Sequence, residues 1–507
     1  MPYRVATRDA YPTWIGLIFV FNLIVGTGAL TLPAVFARAG WALGFVIVSV
    51  LAFISFVTVT FVIETIACAN AVLHWRQLQL LKRDKSMLSD ELDSDREDDI
   101  VARSAAQSST GQDMSDSSME QTPLFSHRSR YYLLDNKIEL GEMAGLFFSD
   151  FGRILFYLCI AIYLYGDLSI YSAAVAKTFR DILCVSNGTG NSTSDSLDSE
   201  MCWTNHSLSR LDVYRLALIG FLMLLGPFTF FNVQKTKYLQ MCTVCFRWIA
   251  FSIMISIALQ RIIANGPAAR PAAANIVGIP SLFGACVYSF MCHHSLPSLI
   301  APIKNKKQIK SLLSCDYALI CVFYLLLAIT GAFAFANLED LYTLNFVPSP
   351  DQGSSVFLKI IEYFLALFPV FTLSASFPII AITLRNNLQT LFLDMSRIDT
   401  YNFFQRRIIF PLLAITPPIV VTFFTDSLTS LVGFTGSYAG TGIQYLIPVT
   451  LVYSARKTCT DLLGQGIINE YRSPFRHIGW LIFVIVWSCA CVILVTVNFF
   501  TNSETGT

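Results

Sequence analysis

The sequence predicts an all-α, polytopic membrane protein of about eleven transmembrane helices, and three observations carry that expectation. Of 507 residues, 54% are hydrophobic and only 14% charged, a balance too apolar for a soluble chain of this length. Apolar runs of about 20 residues, the length a helix needs to cross hydrocarbon with its own backbone hydrogen bonds satisfied, recur from end to end. Lys and Arg, which stay cytosolic when loops are inserted, cluster in alternate segments between those runs.

The runs cover 13–36, 41–67, 154–177, 213–231, 241–263, 279–301, 312–335, 356–384, 408–424, 428–453 and 478–500. Only Thr425, Asp426 and Ser427 separate the ninth from the tenth, so a merged reading would give ten. With residues 1–12 placed in the cytosol, the segments on that side hold 26 of the 35 basic residues. Eleven crossings then put residues 501–507 outside. The first run is too long for the apolar core of a cleaved signal peptide and is retained as the first helix.

The segment 180–212 falls on the outer side and carries three glycosylation sequons, at Asn187, Asn191 and Asn205. Of thirteen cysteines, Cys184 and Cys202 are the pair in a soluble segment facing the oxidising side, where a disulfide is expected. The others lie in or beside apolar spans, Cys242 and Cys245 among them, and are expected to pack. The stretch 68–153 is a different kind of sequence. Asp90 to Asp99 holds seven carboxylates, and 104–118 is mostly Ser, Gln, Asp and Gly, so a disordered cytosolic loop is expected, with cytosolic partners for 70–153 as one role. Net charge is +1, which gives no electrostatic case for nucleic acid; the expected partners are membrane lipid and a small solute.

Chemistry concentrates in the first and sixth spans. Phe21 to Pro33 reads FNLIVGTGALTLP, with Asn22, Val25, Gly26, Thr27 and Gly28 halfway across, at a depth where irregular backbone is tolerated only against protein or a cavity. Tyr288 to Leu299 reads YSFMCHHSLPSL, which sets Ser289, His293, His294 and Ser295 before Pro297 in an apolar run. The two are five spans apart, an odd interval, so the second enters from the opposite side, as in an inverted repeat with paired interrupted helices. Half-helices of this kind expose N–H and C=O groups that hold a carboxylate, an ammonium or Na⁺. Close helix packing is the other use of such glycines.

These strings, with GPFTFFNVQKTKYLQ at 226–240, FPIIAITLRNN at 377–387, GSYAGTGIQYLIPV at 436–449 and YRSPFRH at 471–477, resemble the transmembrane protein 104 family. More distantly, the first and sixth spans resemble the amino-acid/auxin permease superfamily. That resemblance implies a LeuT-like five-plus-five inverted repeat plus one helix, and solute carriage coupled to H⁺ or Na⁺.

Ionisable residues inside membranes are costly and each needs a role. Asp167, in the third span, reads as a substrate or proton contact or as a structural hydrogen-bond partner. Glu64 and Arg247 read as a structural ion pair or as snorkelling side chains. His293 and His294 read as packing histidines or as proton-coupling groups. Thr372 and Ser376, four apart and on one helix face, would complete a cation site with the carbonyl of Val25. The expected substrate contacts are Asn22, Gly26, Thr27, Gly28, Asp167, Ser289 and His293. Gly436 and Gly440 form a small-xxx-small pair for packing. No metal set, cofactor site or enzyme constellation is visible. The expected function is secondary active transport of a small polar solute, an amino acid foremost, at the plasma or endolysosomal membrane; the alternative is a non-transporting sensor or scaffold of the same fold.

Overall fold

The computed structural model describes residues 11–104, 131–184, 201–203, 206–230, 237–347, 356–393, 403–464 and 467–505. The first span is two helices, α1 (Thr13–Ile24) and α2 (Thr27–Ala39), bent by 56° at Val25 and Gly26. Gly40 follows with φ +93°, a left-handed turn that a side chain would strain, and starts α3 (Trp41–Ser104). A short helix, α4 (Leu140–Phe147), precedes α5 (Asp150–Leu183), whose first turn is capped by Ser149 Oγ accepting from Gly152 N–H at 3.4 Å. An antiparallel hairpin, β1 (Met201–Trp203) and β2 (His206–Ser209), leads into α6 (Arg210–Leu225). Ser209 and Asp212 cap that helix reciprocally, through backbone-to-side-chain bonds of 3.2 and 3.1 Å.

Next come α7 (Lys237–Asn265), then the interrupted pair α8 (Ile279–Ser289) and α9 (Leu296–Ile300), then α10 (Ile309–Ala334) and α11 (Val356–Phe392). The last group is α12 (Phe410–Phe424), α13 (Leu428–Thr435), α14 (Ile447–Leu463) and α15 (Ile478–Thr505). Between α13 and α14 the chain stays helical through two π-helical turns, Gly436–Gly440 and Gly442–Leu446. These lie where α8 presses closest: a Cβ on Gly436 would stand 2.0 Å from the Gly284 carbonyl oxygen, the close packing expected of the small-residue pair.

Among the described residues, eight helices are long and apolar enough to cross a membrane, and nine when the bent α1–α2 pair counts as one span. The expected sixth and tenth spans fall short of that length test because one is broken and the other is divided by π turns. The ninth and tenth are separate, since Thr425, Asp426 and Ser427 are non-helical and Ser427 caps α13 by accepting from Ser430 N–H at 3.3 Å.

The second span and the loop after it differ from expectation. Helix α3 does not end at 67 but continues to Ser104: no proline lies between Trp41 and Ser104, and the good helix formers Ala, Leu, Met, Gln, Glu, Lys and Arg make up more than half of the extension. Residues 131–153 are ordered as well, with Leu134, Ile138, Leu140 and Met143 in the core. Residues 105–130 of that loop lie outside the described residues, as do Asn187, Asn191 and Asn205. Cys184 and Cys202 are joined by a disulfide.

Two packed groups position the site. In one, α2 lies against α8 and α10, and α3 against α8 and α10; in the other, α5 lies against α6, α11 and α12. The expected partnership of Glu64 with Arg247 does not form. Glu64, 2% exposed, takes both arms of Arg456 from α14 at 2.9 and 2.7 Å and the N–H of Ser473 at 2.9 Å, while Arg247 turns into the cavity between the two groups.

Candidate functional site

Helix α1 ends at mid-depth with carbonyls that no further helical turn can satisfy. Arg247 on α7 satisfies them: its Nη1 donates to the carbonyls of Asn22 and Val25, the latter at 2.9 Å. A guanidinium at the negative end of a half-helix is doubly favoured, by hydrogen bonds and by the dipole. Helix α2 then begins at Gly26 with no side chain capping its N-terminus, so its first N–H groups face the break.

The sixth span breaks beside the first. Helix α8 stops at Ser289, and Phe290 to Ser295 run without helix before α9. Tyr324 on α10 ties the breaks together, its hydroxyl lying 3.0 Å from the Ile24 carbonyl and 2.9 Å from the Ser289 carbonyl. Tyr288 makes a second tie, to Thr27 Oγ1 at 3.0 Å, and donates its hydroxyl to the carboxylate of Asp167 on α5.

Of these groups, Asn22, Gly26, Thr27, Asp167, Arg247 and Tyr288 line a cavity of about 550 Å³. It runs from Gly26, Asp167 and Tyr288 toward Tyr11, Pro302 and Thr383, the end where α1 begins and α9 finishes. At the opposite end, Asp340 pairs with Arg38 from α2 at 3.2 Å and with Lys177 from α5 at 3.9 Å. The chain from Ala272 to Asn275 binds across the α2–α3 turn there, through Trp41 N–H to the Ala272 carbonyl at 3.1 Å and Asn275 N–H to the Ala39 carbonyl at 2.8 Å. One end is therefore open and the other strapped.

Arg247 and Asp167 give the cavity walls one cationic and one anionic group, both buried, and neither is in a salt bridge among the described residues. Burial in a low-dielectric wall strengthens the field each projects into the cavity. Asn22 adds a buried side-chain carbonyl without a hydrogen-bond partner among the described residues.

Of the substrate and cation contacts expected from the sequence, Asn22, Gly26, Thr27, Gly28, Asp167 and Ser376 line the cavity. The others do not, for specific reasons. Ser289 turns its hydroxyl back to the Ala285 carbonyl at 2.6 Å and packs on Gly28, where a Cβ would come within 2.6 Å of Ser289 Cα. His293 points away, its Nε2 2.9 Å from Thr58 Oγ1 on α3, and His294 lines the cavity instead, its ring 5.6 Å from that of Tyr163. At the expected cation site, the Val25 carbonyl is taken by Arg247, and Thr372 and Ser376 donate to carbonyls of their own helix at 3.0 and 3.2 Å. A fixed guanidinium stands where a mobile cation was expected. Arg247, Tyr288 and Tyr324 were missed as site residues. A lone arginine deep in an apolar span was the available signal for the first; tyrosines at helix breaks carry none.

Residues 131–497 match the family model described as transmembrane amino acid transporter protein. The chain belongs to this family. It is 54% identical to the transmembrane protein 104 homolog of Drosophila melanogaster, over 99% of this chain and 100% of that protein. Human transmembrane protein 104 is 45% identical, covering 97% of each chain, and the Dictyostelium discoideum homolog is 31% identical over 96% of this chain and 97% of its own. The chain is thus a member of the transmembrane protein 104 family within the amino acid transporter group. The transporter match begins after α3, so the α1–α2 half of the cavity lies outside the matched span while α5, α7 and α8 lie inside it.

Proposed function

We propose that the chain is a secondary active transporter of an amino acid, driven by protons. The observation that carries the reading is the pair of opposite charges, Arg247 and Asp167, lining one cavity at two adjacent helix breaks. A free amino acid is the small solute that presents both complementary charges. Its carboxylate suits the uncapped N-terminus of α2 and the guanidinium; its ammonium suits Asp167 and the carbonyl end of α8. A volume of about 550 Å³ falls in the usual range for small-molecule sites, roughly 300–1,000 Å³. Protons rather than Na⁺ fit as the coupling ion, because Arg247 already holds the Val25 carbonyl.

In this reading the chain crosses the membrane eleven times, N-terminus cytosolic and C-terminus outside. The breaks in the first and sixth spans, and the two packed groups of spans 1, 2, 6, 7 and 3, 4, 8, 9, support the five-plus-five inverted repeat. The open end of the cavity then faces the cytosol and the Arg38–Asp340–Lys177 cluster closes the outer side, an inward-facing state.

Reconstituted protein is tested for concentrative uptake of a labelled mixture of the proteinogenic amino acids against a pH gradient. Ligand at 100 times its Kd also stabilises the folded protein by about 2.7 kcal/mol. Asp167→Asn and Arg247→Gln are expected to abolish both uptake and stabilisation. Wild-type stabilisation without flux would convert the reading to a sensor of the same fold, and full stabilisation in both variants would overturn the assigned site.

A further inference from the structure

We infer that Asp316 on α10 is a proton-binding site and that its proton is the one coupled to transport. The second half of that statement rests on the transport reading above; the binding of a proton does not.

Asp316 is 0% exposed, and neither of its carboxyl oxygens has a hydrogen-bond partner among the described residues. The other carboxyl groups buried in the spans near the breaks are accounted for, Glu64 by Arg456 and Asp167 by Tyr288. The groups facing Asp316 offer no counter-ion. Helix α1 has no ionisable residue, α2 has only Arg38 at the strapped end, and α3 between residues 41 and 67 has only Glu64, already paired. Helix α7 brings Arg247, held by the α1 carbonyls, the thiols of Cys242 and Cys245, and Arg261, over the rings of Phe335 and Phe346. The sixth span brings the thiols of Cys286 and Cys292, the Tyr288 hydroxyl, and His293 and His294, whose Nδ1 atoms are also buried with no hydrogen-bond partner among the described residues. Just before α10, Lys306 spends its ammonium on the carbonyls of Ile300 and Ala301; on α10 Lys310 spends its own on those of Glu470 and Arg472, and Arg472, beyond α14, leans to Glu64 at 3.9 Å.

A carboxylate with no counter-ion and no donors in such a wall is far costlier than the neutral acid, so the pocket as built accepts the protonated form. The step is simple: one proton from water forms an O–H bond at a carboxyl oxygen, and the same bond breaks on release. Its consequence is mechanical. One residue on, Tyr317 donates to the Phe290 carbonyl at 3.3 Å and lies 3.3 Å from Cys292 Sγ, and two turns further, on the face of Tyr317, Tyr324 holds the Ser289 carbonyl. Asp316 thus sits beside the contacts by which α10 grips the unwound segment of the sixth span. Loss of the proton requires water at the carboxylate, and in this proposal water is admitted as that segment parts from α10. Proton release and movement of the break are then one event.

Infrared difference spectra of wild type against Asp316→Asn test the binding without any solute. The expected result is a carbonyl stretching band of a protonated, weakly hydrogen-bonded carboxylic acid at pH 7, present in wild type, absent from the variant and lost on alkaline titration. No such band overturns the inference. In proteoliposomes with a one-unit pH gradient, one-to-one coupling accumulates the labelled amino-acid mixture about tenfold. Asp316→Asn is expected to equilibrate it without accumulation, and Asp316→Glu to restore accumulation with a displaced pH profile. Tenfold accumulation by Asp316→Asn, or loss of counterflow along with it in a monodisperse preparation, overturns the coupling role. A wild type with the band and without flux leaves the proton site standing and removes the transport reading.

Discussion

Alanine at Gly28 places its methyl carbon 2.4 Å from Oγ and 2.6 Å from Cα of Ser289. The hydroxyl can rotate away, but the Cα belongs to the backbone of α8 and cannot. Carbon atoms rest at about 3.5–4.0 Å, so α2 and α8 must separate by roughly 1 Å along a contact that also carries the Tyr288–Thr27 bond. Overpacking of this kind costs about 1–3 kcal/mol. At roughly 2 °C per kcal/mol, the lower end of the scale for sizeable domains, that is a fall of about 2–6 °C in apparent Tm. Gly26 is the control. A Cβ there meets nothing within 4 Å and enters the cavity, so Gly26→Ala is expected to keep the wild-type Tm and weaken solute binding. Both are measured on detergent-solubilised protein by heating and size-exclusion chromatography, with expression and glycosylation recorded alongside. Equal thermal stability in the two variants, or the loss falling on Gly26→Ala, would refute the division of labour between a packing glycine and a cavity glycine.

Arg456→Ala leaves Glu64 buried with the Ser473 N–H and only the more distant Arg472, 3.9 Å away, in place of a bidentate guanidinium, and breaking a buried pair from one side costs about 3–5 kcal/mol, so the variant should lose monodispersity by size exclusion. Pairing it with Glu64→Gln should recover part of the loss, and no recovery would show that Arg456 matters for something other than that charge. Opening the Cys184–Cys202 disulfide by Cys202→Ser releases a closure of 18 residues and should destabilise by about 3 kcal/mol in the loop-entropy picture, read as a Tm drop that reductant reproduces in wild type. Changing Asn187, Asn191 and Asn205 together to Gln should abolish the endoglycosidase shift of protein from a secretory-pathway host; a wild type with no shift contradicts the outward placement of 180–212.

The sequence by itself determined that the chain is a bundle of membrane helices, close to where each lies, and that the first and sixth carry the breaks. Those features are local: hydrophobic length is read in one dimension, and glycine or proline marks unwound backbone wherever it falls. The Gly26–Thr27–Gly28 run and Asp167 were legible for the same reason, since a polar group in hydrocarbon is conspicuous without any neighbour being known. Where helical propensity outran hydropathy, as in the extension of α3 past residue 67, the one-dimensional reading stopped too early.

The tertiary structure alone decided which atoms meet. Ser289 and His293 sit in the right segment but face Gly28 and Thr58, because a residue's rotation about a broken helix is set by its neighbours and not by its depth. Arg247 left Glu64 to Arg456 and capped α1, a choice among cations that charge counting cannot make. Asp316 reads in the sequence as one more carboxyl near the end of a span. Only the packing of α10 shows it enclosed with no partner for either oxygen among the described residues, and that solitude is the physical reason for proposing a proton there.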